Sequence, residues 1–298
     1  MKTLIRVLAW GLAGLVGLCL LALGWVLYLT YSFDTETPPE RQGQFDLALH
    51  AQPQPGRPLI VTLGGAEGGN MWEHPRWDAQ RQRFLDLGFN LLTVAYFGTP
   101  TTPATLDRID LGALMAKVRA EMARPEVASR CLVLLGGSKG AEMSLAMAAL
   151  FADIDAVVAM SPADTMFPAH TEAMTTGSWS LDGQPLPFAP FPWSAVPDLV
   201  KGDIGAAMRR ILAQPEAAAA RIPTERSRAR MLLIASEKDE MWPALTMARR
   251  IEALNPERVD LLAVPGDHRA VVEHMDAVEA FLRELLFAPG RCAAPSAG

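Results

Sequence analysis

The chain has 298 residues, half of them hydrophobic and a fifth charged, with a formal net charge of −6. That composition excludes a disordered, collagen-like or linker chain, and the acidic balance speaks against a nucleic-acid partner. Cys19, Cys131 and Cys292 are too few and too scattered for a disulfide framework or a thiolate metal cage; no metal is expected, and neither Cys131 nor Cys292 has an evident partner.

The first element is apolar. From Val7 to Tyr31 no charged residue occurs, and about 20 apolar residues suffice to cross a bilayer. The run is longer than a secretory signal needs, and a cut after Ala22-Leu23-Gly24 would leave an apolar N-terminus. A retained membrane anchor at residues 1–31 is therefore expected, with a cleaved signal as the alternative and the bilayer as a partner through residues 7–31. Lys2 and Arg6 precede the run, and Asp34, Glu36 and Glu40 follow it. Positive flanks stay inside, so the N-terminus is expected in the cytoplasm and the rest of the chain outside it.

Residues 32–57 read as a polar, Pro-rich linker holding one short strand, Phe45 to His50. A rhythm then begins. Apolar strand-like runs fall at Leu59–Leu63, Asn90–Tyr96, Cys131–Leu135, Ala156–Met160, Met231–Ala235 and Val259–Val264. Helical patterns alternate with them, near His74–Leu87, Leu106–Ala123, Lys139–Phe151, Trp242–Ala253 and Ala270–Leu286. Strands apolar throughout are buried on both faces, and alternation with helices gives an α/β architecture with a mostly parallel sheet and flanking helices. Residues 164–222 break the rhythm and read as a cap inserted over a pocket. They include helical segments near Ile204–Leu212 and Pro215–Arg221. Residues 288–298 read as a disordered tail.

The chemistry-bearing segment is Gly136-Gly137-Ser138-Lys139-Gly140, a G-x-S-x-G between a strand and a helix. Such a turn lifts a serine hydroxyl off the sheet at a helix N-terminus, which makes Ser138 a candidate nucleophile. The Lys139 backbone N–H then points at a developing oxyanion. Ser138 needs a base and the base an orienting acid, and in hydrolases with this elbow the chain order is Ser, acid, His. Asp239 follows the next-to-last strand and His268 the last, so these two are the expected partners. Glu237 and Glu240 read as solvent-facing, Asp267 as structural. His50, His170 and His274 read as surface or cap residues. His74 sits after the loop Gly64-Gly65-Ala66-Glu67-Gly68-Gly69, where a second oxyanion donor is expected from the Ala66 N–H. That loop lacks the spacing of a phosphate cradle. Trp179, Phe188, Phe191 and Trp193 crowd the cap and suit an apolar substrate wall; the alternative is that they simply seat the cap.

These motifs resemble the C-terminal catalytic domain of the acyl-CoA thioesterase / bile acid-CoA:amino acid N-acyltransferase family. The resemblance covers about residues 58–287, read as an α/β-hydrolase catalytic domain. It rests on Gly-Gly-Ser138-Lys139-Gly-Ala-Glu, Leu63-Gly-Gly-Ala-Glu-Gly-Gly69, Thr93-Val-Ala-Tyr96-Phe, the cap run Trp179 to Pro187, Lys238-Asp239-Glu-Met-Trp242-Pro243 and Gly266-Asp267-His268. It implies Ser138 as nucleophile, Asp239 as acid and His268 as base, and a small-molecule acyl ester or thioester as substrate. No cofactor is implied. Transferases of the family use cysteine, so Ser138 favours hydrolysis. Animal members carry an N-terminal β-sandwich; here the apolar span stands in its place. The competing functions are a peptidase or amidase on the same fold, and a non-catalytic binding protein that keeps it.

Overall fold

The computed structural model describes residues 2–293. Helix α1, Lys2–Ser32, carries the apolar run, and none of its membrane-length window is buried in the protein. It is therefore not a core helix. A run apolar on every side with nothing packed on it is long enough to cross a bilayer.

The main sheet has seven strands in the order β1-β3-β2-β5-β6-β9-β10. Their spans are β1 Asp46–His50, β2 Leu59–Leu63, β3 Asn90–Ala95, β5 Leu132–Gly137, β6 Ala156–Met160, β9 Arg230–Ser236 and β10 Val259–Val264. Six are parallel; β1, the strand expected within the linker, pairs antiparallel with β3 at the edge. The central strands are buried almost throughout, as their mostly apolar runs require. The last strand departs from that expectation. It lies at the open edge, and its middle residues are partly exposed.

Two hydrophobic clusters sandwich the sheet. On one face lie α3 (Leu111–Met122), α4 (Lys139–Leu150) and α7 (Ala244–Leu254) together with the cap; on the other lie α2 (Asp78–Asp86) and α8 (Met275–Phe287). Two expected helices are shorter than their patterns. The stretch from His74 begins as 3₁₀ turns and becomes α-helical at Asp78. The one from Leu106 contributes a two-residue strand first, β4 (Ile109–Asp110). β4 pairs with cap strand β7 (Trp179–Leu181), which pairs with β8 (Gln184–Pro185), a small second sheet not anticipated from the sequence. The cap also holds α5 (Val196–Val200) and α6 (Ile204–Leu212).

The cysteines correct a second expectation. Cys131 and Cys292 are bonded to each other as a disulfide. They lie 161 residues apart, so no spacing signal could pair them. α8 packs across the sheet and returns the chain to the start of β5. There Arg291 donates to the carbonyl of Arg130 at 2.8 Å and meets Asp155 at 3.5 Å. Both cysteines are buried. Residues 288–293 are thus tied to the sheet; 294–298 of the expected tail lie outside the described residues.

Candidate active site

The strand order reverses between β2 and β5: the chain steps outward from β2 to β3, then returns to the other side of β2 as β5. In open parallel sheets the crevice at the carboxyl ends beside such a reversal receives ligands. The loop after β2 is the glycine-rich one, and the turn after β5 carries Ser138.

Sterics explain the glycines around that serine. A Cβ on Gly136 would stand 2.1 Å from the carbonyl oxygen of Gly140, and one on Gly140 would stand 2.3 Å from that of Leu63. Strand, turn and helix can approach this closely only without side chains there. Gly137 has ordinary room, with Met160 at 3.8 Å. Ser138 itself has φ 55 and ψ −119, the strained geometry of a nucleophile elbow. Its N–H is fixed by the carbonyl of Met160 at 2.9 Å.

The three residues expected to act together meet. Ser138 Oγ lies 3.0 Å from His268 Nε2, and His268 Nδ1 lies 2.8 Å from Asp239 Oδ2. Asp239 also accepts from the backbone N–H groups of Met241 and Trp242, at 2.9 and 3.2 Å, through its other oxygen. The carboxylate is thereby oriented with one oxygen free for the imidazole. The N–H groups of Ala66 and Lys139 donate to no protein group among the described residues. Ala66 follows Gly65, where an added Cβ would lie 3.4 Å from that of Ser138, and Lys139 opens α4 directly after the serine.

Several positioning groups escaped sequence reasoning. Glu240 is exposed, as expected, and also accepts from the backbone N–H of His268 at 2.8 Å. Ser161, at φ 51, donates to the His268 carbonyl at 2.7 Å. Trp242 meets the His268 ring edge-on, with centroids 4.7 Å apart, while its own N–H bonds the carbonyl of Pro162 at 3.1 Å. His268 is thus held by backbone, ring face and ring nitrogen together. Tyr96 donates to the carbonyls of Gly64 and Gly65, 2.6 and 3.0 Å away, and so shapes the glycine loop from beneath. Full burial, with the charges of Glu67 and Glu142 adding to it, pushes its phenol well above the usual range, so the hydroxyl keeps the proton it donates. Tyr96, Glu240 and Trp242 stand in the quoted motifs, but no spacing pattern shows what they touch, because each contact joins segments well apart in the chain.

Beneath the elbow lies a buried ion pair. Lys139 Nζ contacts both oxygens of Glu142, at 2.9 and 2.8 Å. Glu142 Oε1 also accepts from Trp179 Nε1 at 2.7 Å and from the backbone N–H of Phe167 at 3.0 Å. The ammonium sits over the rings of Trp179 and Phe167, 5.2 and 5.9 Å from their centroids. Burial lowers the lysine's pKa, and the Glu142 charge opposes that shift. One carboxylate thereby ties the cap to the helix that begins at the elbow. Glu142→Gln should keep the bonds to Trp179 and Phe167 but strand the ammonium. Breaking one side of a buried pair costs about 3–5 kcal/mol, read as a lowered midpoint in chemical unfolding of the detergent-solubilised chain. An unchanged midpoint would mean the pair contributes nothing to holding the cap.

The cap aromatics divide. Trp179 is buried and spends its N–H on Glu142; it seats the cap. Phe188 and Phe191 pack partly buried against the core, while Trp193 is half-exposed. A cleft of about 500 Å³ lies beside the glycine loop, lined by Glu67 to Met71, Glu73, His74 and Arg76. His74 accepts from the Arg76 N–H at 3.2 Å, and His50 pairs with Glu73 at 2.8 Å. Neither joins Ser138. Asp267 accepts from the Arg269 N–H at 3.0 Å, within its own turn.

The sheet and its crossovers have the α/β-hydrolase fold. Est1E from Butyrivibrio proteoclasticus, solved with ferulic acid bound, superposes with a TM-score of 0.54 at 16% identity, covering 84% of this chain and 98% of that one. An α/β hydrolase from a Medee basin deep-sea metagenome library, MGS-M2, gives 0.51 at 14% identity, covering 83% and 95%. Residues 120–264 match the family described as BAAT / Acyl-CoA thioester hydrolase C terminal. The chain thus has the α/β-hydrolase fold and is similar to that family over residues 120–264, and the resemblance read from its motifs is borne out. Acyl-coenzyme A thioesterase 2, mitochondrial, from Rattus norvegicus is 26% identical over 238 residues, covering 76% of this chain and 48% of the relative. The human acyl-coenzyme A thioesterase 1 is 25% identical over 234 residues, covering 76% and 52%. The chain spans about half the length of the curated relatives it matches.

Proposed function

We propose that the chain is a membrane-anchored serine hydrolase that cleaves an acyl thioester or carboxylic ester through an acyl-enzyme. The observation that carries this reading is the continuous relay from Ser138 through His268 to Asp239, set on a strained strand–helix turn. Ser138 Oγ attacks the acyl carbonyl while His268 Nε2 takes its proton. Asp239 holds the imidazole in the tautomer that accepts at Nε2 and stabilises the imidazolium formed. The oxyanion is held by the N–H groups of Ala66 and Lys139. Collapse expels the thiol or alcohol, which His268 protonates. Water then attacks the acyl-enzyme by the same steps in reverse and releases the acid. Serine, imidazole, carboxylate and water complete the reaction. The thioesterase activity named for the relatives supports a thioester or ester over an amide.

Substrate profiling tests this reading. The full chain in detergent should hydrolyse p-nitrophenyl esters or acyl-CoAs, and a fluorophosphonate should label Ser138. A folded chain with no adduct and no turnover on either series would leave only the binding-protein reading.

Two observations support placing the hydrolase outside the cytoplasm. Lys2 and Arg6 precede the apolar helix and acidic residues follow it. The Cys131–Cys292 disulfide is the kind of bond that persists in oxidising compartments. CoA thioesters are scarce there, which favours an oxygen ester or another acyl compound. Alkaline phosphatase fused after Gly298 should be active in a bacterial host, and a cytoplasmic reporter at the same point silent. The reverse pattern would turn the chain around and make acyl-CoA the favoured substrate.

A further inference from the structure

Outside α1 the described chain exposes seven large apolar side chains, and four of them fall within twelve residues of the cap. Trp193 is 48% exposed, Leu199 38%, Val200 82% and Ile204 40%. They sit on a 3₁₀ turn at Trp193–Ala195, on α5 and at the start of α6, three elements packed against one another. A soluble surface seldom gathers apolar side chains in this way without a partner.

The chain's own route identifies that partner. α1 ends at Ser32, and the chain is captured almost at once. Arg108, buried and paired with Asp107, donates to the carbonyls of Asp34, Thr35 and Thr37 at 3.3, 2.7 and 2.9 Å. Gln42 donates to the carbonyl of Arg108 and to Ser180 Oγ, at 2.8 and 3.2 Å. Arg108 immediately precedes β4, and Ser180 belongs to β7. The exit from the span is therefore fastened to the cap's small sheet. Two residues of extended chain reach only about 7 Å, so a bilayer holding α1 lies within that order of the cap sheet.

We propose that the cap segment Trp193–Ile204 docks in the outer interface of the bilayer that holds α1, and that acyl substrate reaches the site from that membrane. The inference rests on the anchor reading given above. The chemistry of the segment fits a lipid surface: a Trp, three aliphatic side chains, and exposed Lys201 and Arg209 to meet headgroup phosphates. The patch also adjoins the site. A Cβ on Gly205 of α6 would stand 2.6 Å from the carbonyl of Glu240, the residue after Asp239, so α6 rests on the acid loop. An acyl chain drawn from the membrane along the cap would arrive beside the relay.

The test uses the full chain carrying Cys19→Ser, reconstituted in vesicles of phosphatidylcholine and phosphatidylglycerol. An environment-sensitive fluorophore is attached at Val200→Cys or, as control, at exposed Ala123→Cys at the far end of the sheet. The Val200 probe should be blue-shifted, and quenched by doxyl lipid at least about threefold more than the control. In parallel, Leu199→Asp with Val200→Asp should leave turnover of a short water-soluble ester unchanged. It should lower turnover of a long-chain ester carried in the vesicles by about tenfold. A chain that stays in alkali-washed membranes, yet shows the Val200 probe in water and equal loss on both esters, overturns the docking alone. A chain released by the wash removes the anchor, and the docking with it. Energy transfer between chains labelled at residue 200 would name a second copy as the occupant and overturn the lipid assignment.

Discussion

Ser138→Ala is expected to lower kcat by about 10⁶-fold, the loss seen when a serine-protease nucleophile is removed, with the fold unchanged. The structure explains the second half of that expectation. Ser138 Oγ bonds only to His268 among the described residues, and alanine tolerates φ 55 no worse than serine does. Unfolding midpoints should therefore coincide while turnover disappears. His268→Gln should be nearly as damaging, whereas His274→Gln should not, because His274 only ends a 3₁₀ turn before α8. Residual Ser138→Ala activity within about tenfold of the parent would show that another group attacks the substrate. A dead His274→Gln with an active His268→Gln would show that the base lies elsewhere on the last loop.

Removing the disulfide should have the largest effect on stability. Cys131 and Cys292 close a loop spanning 161 residues. The chain-entropy relation gives about 5 kcal/mol for a loop of that length. Cys292→Ser should accordingly lower the chemical-unfolding midpoint in detergent by an amount comparable to a small domain's whole stability. Dithiothreitol should lower the parent's midpoint similarly and leave the variant's alone. Turnover below the transition should persist, because the bond lies at the start of β5, at the opposite end from Ser138. If reductant leaves the parent's midpoint where it was, the bond is not formed in the protein. The oxidising-compartment argument would then fall, leaving orientation to rest on the flank charges.

Local pattern was enough for the sheet. Mostly apolar runs such as Leu59–Leu63 and Ala156–Met160 could be read as buried parallel strands because burial on both faces leaves few positions for polar side chains. Ser138, Asp239 and His268 were nameable because each sits at the carboxyl end of a strand, and chain order alone ranks them for roles. The long apolar helix α1 was legible for a similar reason: its signal is length and composition, which need no partner. Long-range closure was not legible. The Cys131–Cys292 bond depends on α8 carrying the chain back across the sheet. The small cap sheet depends on β4 meeting a strand nearly 70 residues later, a separation too great for any periodicity. The contacts that aim His268, hydrogen bonds to Glu240 and Ser161 and the edge-on ring of Trp242, follow from the packing of three loops, and so does the buried bond from Trp179 to Glu142. A short-range pattern records which face of a strand or helix is buried. Only the folded chain decides which distant polar group finds its partner there, because burial makes an unpaired one costly.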